Sequence, residues 1–134
     1  MSDAAPLPQK LGIREGAVVA ILRAPEGFDR TLGDLPTGVS LRSRAAGTND
    51  VVVFFTRSKT ELADRFRGLA RLLTPAGGLW IAYPKKASGV PTDLSFEAVQ
   101  RIGLEGELVD NKSCAIDDVW TAVRFVVRLE DRGG

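Results

Sequence analysis

Apolar residues fall along the chain in three unbroken runs separated by helical stripes. Residues 17–22 read AVVAIL, residues 51–55 read VVVFF and residues 79–83 read LWIAY. Runs this short and free of charge suit strands buried on both faces of a sheet. The first stops at Arg23-Ala24-Pro25-Glu26-Gly27, a turn signal. Phe28, Leu32 and Leu35 then recur at helical spacing, and Gly33 and Pro36 limit that helix to about two turns. A short strand, VSLRS, follows from Val39.

After the second run, Ser58 and Glu61 have the spacing of a capping box, in which each side chain satisfies a free backbone N–H at a helix start. Leu62, Phe66, Leu69 and Leu73 continue at i, i+4, i+7 and i+11, one face of an amphipathic helix. Pro75 and the pair Gly77-Gly78 predict its end. A second helix from about Ser95 places Phe96, Val99 and Ile102 on one side, with Gly103 and Gly106 closing it. The polar stretch 107–116 suits an edge strand. Residues 120–129 alternate Val123, Phe125, Val127 and Leu129 against Arg124 and Arg128. Asp117-Asp118 between them predicts a turn, hence a terminal antiparallel hairpin. Residues 1–10, with two prolines, read as a flexible arm, and residues 11–130 as a single domain.

Strand, turn and helix repeated in this order predict an α/β fold: a mainly parallel, Rossmann-like sheet with helices on its faces and a C-terminal antiparallel hairpin. Ligands in such sheets bind outside the carboxyl ends of the strands. Residues 24–28, 56–59 and 84–95 should meet there.

Composition narrows the chemistry. With 134 residues, 44% of them hydrophobic and 26% charged, the chain has the ordinary globular balance. Eighteen Lys and Arg against 17 Asp and Glu leave a net charge of +1, so no global field draws it to nucleic acid or an acidic membrane. Cys114 is the single cysteine, which excludes an internal disulfide and any CxxC motif. Histidine is absent, which removes the usual general base, the Ser-His and Cys-His pairs and the commonest zinc ligand. The N-terminal residues lack a signal-peptide core and there is no apolar run of membrane-spanning length, so a cytoplasmic address is expected. No catalytic residue, metal or cofactor is assigned.

The candidate site follows the third run. Lys85 and Lys86 leave the strand directly, and Ser88, Gly89, Thr92 and Asp93 lie between them and a helix N-terminus. Cations, hydroxyls and free backbone N–H groups brought together would hold a small anion. In the alternative, the lysines are solvated and Ser95 or Asp93 merely caps the helix. Pro25, Glu26 and Gly27 form a second candidate segment, either a tight turn or a ligand contact. Asp117 and Asp118 read as solvated turn residues, and Cys114 as a small hydrophobe. Arg65, Arg67 and Arg71 are diluted by Glu61 and Asp64 and suggest no nucleic-acid surface.

Two resemblances add to this. Asp50-Val-Val-Val-Phe-Phe, Leu73-Thr-Pro-Ala-Gly-Gly-Leu79 and the closing hairpin resemble the fourth strand, the turn into the fifth and the last two strands of class I S-adenosylmethionine-dependent methyltransferases. The cofactor motifs of that family are missing. Its first strand ends in an acidic residue and a Gly-x-Gly turn, where this chain has Leu22-Arg23-Ala24-Pro25-Glu26-Gly27. Its second ends in an acid for the ribose hydroxyls, where this chain has Leu41-Arg42-Ser43-Arg44. The chain is also about one βα unit short of that fold. Over nearly its whole length it resembles the bacterial family called domain of unknown function 3052. The matching segments are Ala24-Pro25-Glu26-Gly27-Phe28, residues 80–93 and Cys114-Ala115-Ile116-Asp117-Asp118-Val119-Trp120. That resemblance implies a fold and a cytoplasmic protein, with no activity attached.

Two functions are therefore expected to compete. One is a non-catalytic binding or regulatory domain on a degenerate methyltransferase-like scaffold, holding a small anion or a protein partner at 84–95. The other is a small enzyme, either a divergent methyltransferase or one acting on a phosphorylated metabolite. A homodimer would cover an exposed strand face.

Overall fold

The computed structural model describes residues 5–131. Strands β1 (Val18–Leu22), β2 (Ser40–Arg42), β3 (Asn49–Phe55), β4 (Leu73–Pro84), β5 (Val109–Ala115) and β6 (Trp120–Val126) form one six-stranded sheet in the order β2-β1-β3-β4-β6-β5. The pairs β1–β2, β1–β3 and β3–β4 are parallel, whereas β6 runs antiparallel to both β4 and β5. This is the mainly parallel sheet with a terminal antiparallel hairpin that the runs predict.

The absence of polar positions in the runs has a direct structural cause. In β3, Val52 and Phe54 face one core while Val51, Val53 and Phe55 face another. In β4, Leu79, Ile81 and Tyr83 face the first core, and Trp80 and Ala82 the second. Every residue of the runs 51–55 and 79–83 is buried, so the period of two leaves no hydrophobic alternation in the sequence. The first core is roofed by α3 (Lys59–Ala70) and α4 (Phe96–Glu105), through Leu62, Phe66, Leu69, Ala98 and Val99. The second lies under α1 (Leu7–Lys10) and α2 (Phe28–Leu32).

Within residues 1–10, expected as a flexible arm, Leu7–Lys10 form the short helix α1, with Pro8 buried; residues 1–4 lie outside the described residues. The Trp80 indole N–H donates to the Leu11 carbonyl at 2.9 Å, which fixes this segment over the sheet. Helix α2 makes a single turn, because Gly33 leaves helical geometry at φ 78°, and Leu35 lies beyond it. Pro75, Gly77 and Gly78 do not form a simple turn. They belong to β4, whose pairing with β3 jumps from Asn49–Leu73 to Val51–Gly78, so residues 74–77 bulge out. Asn49 anchors the start of both strands: its N–H donates to the Leu72 carbonyl at 2.7 Å and its side-chain amide to the Ala46 and Leu72 carbonyls, each at 3.2 Å. Strand β6 stops at Val126, and Leu129–Asp131 is a 3-10 turn.

Helix α4 also differs from its predicted face. Phe96, expected on one side with Val99 and Ile102, is 41% exposed while Val99 is buried, and Gly103 is inside the helix rather than at its end. Gly103 lies so close to the Phe125 ring that an added Cβ would overlap it. Phe125 is fully buried and stacks edge-on with Phe66 at 5.3 Å, so it has nowhere to move. Gly103→Ala should therefore lower stability by about 1–3 kcal/mol, despite alanine's better helix propensity. Urea denaturation measures this, and an unchanged midpoint would show that the ring can give way.

Candidate functional site

From β1 the chain crosses to β2 on one side and then returns to β3 on the other. The carboxyl ends of β1 and β3 therefore flank the point where the connectivity reverses, which is where a sheet of this kind leaves a crevice. A crevice of about 580 Å³ is present there, with Arg23, Thr56, Arg57, Ser58, Glu61 and Trp120 in its wall.

Its polar groups pair with one another. Thr56, at the end of β3 and 3% exposed, donates its hydroxyl to Glu61 Oε1 at 2.5 Å. Arg23 Nη1 lies 2.8 Å from Glu61 Oε2. The expected capping box is thus half made. Ser58 Oγ accepts from the Glu61 N–H at 3.1 Å, but the Ser58 N–H turns to Thr56 Oγ1 at 3.2 Å, and the Glu61 carboxylate points across the crevice. Arg23 sits at φ 61°, in the left-handed region that few residues with a side chain adopt. Trp120 stacks edge-on against Phe55, 5.1 Å between ring centroids.

In residues 84–95 most of the candidate polar groups serve the chain itself. The Lys85 N–H donates to the Val119 carbonyl at 2.7 Å, and a 3-10 turn, Lys86–Ser88, follows and ends at Gly89 with φ 77°. The Ser88 hydroxyl donates to the Lys85 carbonyl at 2.6 Å and accepts from the Val90 N–H at 3.2 Å. Thr92 donates to the Arg57 carbonyl at 2.7 Å. Asp93 Oδ1 accepts from the Lys59 N–H at 2.8 Å, so its carboxylate occupies the N-terminus of α3. Ser95 caps α4 by accepting from the Ala98 N–H at 3.2 Å.

The nine candidates do not line a common cavity. Lys85 and Lys86 line a second one of about 390 Å³, together with Tyr83, Ser95, Phe96 and Glu97. Pro25 lines the switch-point crevice, and with Gly27 a third hollow of about 470 Å³ between α2 and β2. Gly27 precedes α2 at φ 84°, and Pro25 accepts from the Phe28 N–H, as a tight turn requires. Glu26 lines none of these three cavities. Asp117 closes the hairpin turn by accepting from the Val119 and Trp120 N–H groups at 2.9 and 2.8 Å. Among the described residues no cluster of three or more His, Cys, Asp or Glu could hold a metal, and no helix is long and apolar enough to cross a membrane.

Tyr83, Arg23, Glu61, Phe96 and Glu97 enter the site without having been singled out for it by the sequence. Arg23 alone had a positional signal, as the residue directly after a buried strand. Burial, and secondarily the negative charge of Glu97, raises the Tyr83 phenol above its ordinary value. Burial likewise raises the Cys114 thiol, against the opposing charges of Lys10 and Lys112. A thiol raised in this way is a poor nucleophile near neutral pH.

Two measurements test this geometry. Asp93→Ala leaves the Lys59 N–H without its acceptor and should cost about 1 kcal/mol in urea denaturation, as loss of a helix cap does. Tyr83 holds its proton more tightly folded than unfolded. Its contribution to stability is therefore complete below the ordinary tyrosine value of about 10 and is lost as pH rises through the raised one. The urea midpoint should fall more steeply above pH 10 in the native chain than in Tyr83→Phe. Parallel curves would show that the phenol titrates normally.

Solved structures with the same arrangement are S-adenosylmethionine-dependent methyltransferases and related proteins. A methyltransferase from Aquifex aeolicus superposes with a TM-score of 0.63 at 15% identity, over 90% of this chain and 87% of its own. A putative methyltransferase from Thermoplasma acidophilum gives 0.59 at 11% identity, over 96% and 77%. Magnesium protoporphyrin IX methyltransferase from Synechocystis, with S-adenosylmethionine bound, gives 0.57 at 11% identity, over 91% and 74%. No protein-family model and no curated protein matches the chain, so the resemblance to domain of unknown function 3052 stands on its motifs alone. At these identities the likeness shows the fold alone: the chain has a methyltransferase-like, Rossmann-type sheet.

Proposed function

We propose that this protein is a binding domain that performs no methyl transfer and holds a small anionic ligand or a protein partner at the carboxyl edge of a methyltransferase-like sheet, in the cytoplasm. The observation that carries this reading is the Arg23–Glu61–Thr56 cluster at the end of β1 and β3. The fold implies a glycine-rich turn there, over which the backbone approaches S-adenosylmethionine. Arg23 instead carries its side chain across the crevice, and Pro25 removes a backbone N–H. Strand β2 ends at Arg42, where an acid would hold the ribose. A sulfonium cofactor would meet the cations Arg23 and Arg57, and Glu61, the carboxylate in the wall, is already bonded through both oxygens. These residues do not fit the cofactor.

The competing reading is a divergent methyltransferase. It is favoured by the 580 Å³ crevice at the switch point, which is open even though its lining is wrong for the cofactor in its usual pose. Calorimetric titration of the full chain with S-adenosylmethionine and S-adenosylhomocysteine distinguishes the two. Neither should give saturable heat, and tight binding of either would overturn the binding-domain reading.

A further inference from the structure

We infer that the cavity between the end of β4 and the first turn of α4 is a binding site for phosphate monoesters. The inference names a ligand for the binding domain proposed above and rests on that reading.

Three observations converge on this cavity. Helix α4 has ten residues, and at its start Ser95 supplies its hydroxyl oxygen to the Ala98 N–H and its carbonyl to the Val99 N–H. The Phe96 and Glu97 N–H groups are left without a partner among the described residues. Helix α3 differs, because there Asp93 provides the anion. Lys85 and Lys86 stand on the cavity wall. Tyr83 also lines it and is 7% exposed, yet its hydroxyl makes no hydrogen bond among the described residues. The ring is buried while the hydroxyl oxygen itself still reaches solvent, so the phenol is free to donate to an acceptor in the cavity. Because Tyr83 keeps its proton, it serves as a donor at neutral pH.

Two further residues shape the ligand. Phe96 is 41% exposed beside the cavity and offers a ring on which a flat apolar group can stack. Glu97 stands on the same wall and opposes a dianion, which makes the site weaker than its cations alone would allow. A phosphate monoester with a planar apolar substituent satisfies the lysines, the phenol, the free N–H groups and Phe96 together.

The test is calorimetric titration of the full chain with inorganic phosphate and with phenyl phosphate. Both should bind saturably, phenyl phosphate more tightly. The double variant Lys85→Ala/Lys86→Ala should weaken both by about tenfold or more, the loss expected for charge-assisted hydrogen bonds. Tyr83→Phe keeps the ring and should weaken both severalfold while the thermal midpoint at neutral pH holds. Phe96→Ala should abolish the preference for phenyl phosphate, and Glu97→Gln should tighten both ligands. Absence of saturable binding to the native chain overturns the inference, as does binding that is unchanged in both the lysine and the Tyr83 variants. The two readings fail separately: if phosphates are ignored and S-adenosylmethionine is silent, the binding domain stands without this ligand, whereas S-adenosylmethionine binding removes the domain reading itself.

Discussion

A strand buried on both faces must be covered twice, and in this chain one of the two covers has almost no helix. Helices α3 and α4 roof the first core with two broad apolar faces. Among the described residues the second core has only α1 and α2, of four and five residues. Trp80 makes this thin layer sufficient. It is fully buried, contributes the largest side chain in the core, and its indole N–H requires an acceptor that the sheet cannot supply. The Leu11 carbonyl meets that need and brings Leu11 and Ile13 onto the sheet. Phe28, Phe55 and Trp120 extend the layer as rings packed edge to face, with centroids 4.9 and 5.1 Å apart.

The carboxyl edge is ordered by a similar demand. Arg23 and Glu61 are partly exposed, 57% and 24%, and an ion pair in that setting contributes little by itself. Thr56 is buried, and its hydroxyl needs an acceptor. Glu61 is thus drawn away from its own helix start by Thr56, and Arg23 completes the carboxylate's coordination. The left-handed backbone at Arg23, which costs on the order of 1–3 kcal/mol where a side chain is present, is tolerated because the surrounding pairs fix it.

The sequence made β1, β3, β4 and α3 legible because burial on both faces and a clean helical stripe leave strong local patterns. It hid what depends on distant partners. The bulge at 74–77 follows from pairing with Asn49, and helix α1 from an indole sixty-nine residues away in the chain. For residues 84–95 the sequence does not say who claims each donor. Ser88, Thr92 and Asp93 looked available for a ligand and are spent on Lys85, Arg57 and Lys59. Tyr83 looked like the last apolar residue of a strand, and only the cavity beside it reveals a hydroxyl with no partner among the described residues.

The bonds from Thr92 and Asp93 have a mechanical meaning. They rivet a surface loop to residues 57 and 59, on either side of Ser58, and both Arg57 and Ser58 stand in the wall of the switch-point crevice. The loop is therefore fastened to the start of α3 from both sides of Ser58. The Asp93 bond ends on the first turn of α3, which also carries Glu61, the residue that both Arg23 and Thr56 contact. Two cavities that share no lining residue are thereby joined by a short bonded path through residues 92 and 93 to residues 57 and 59.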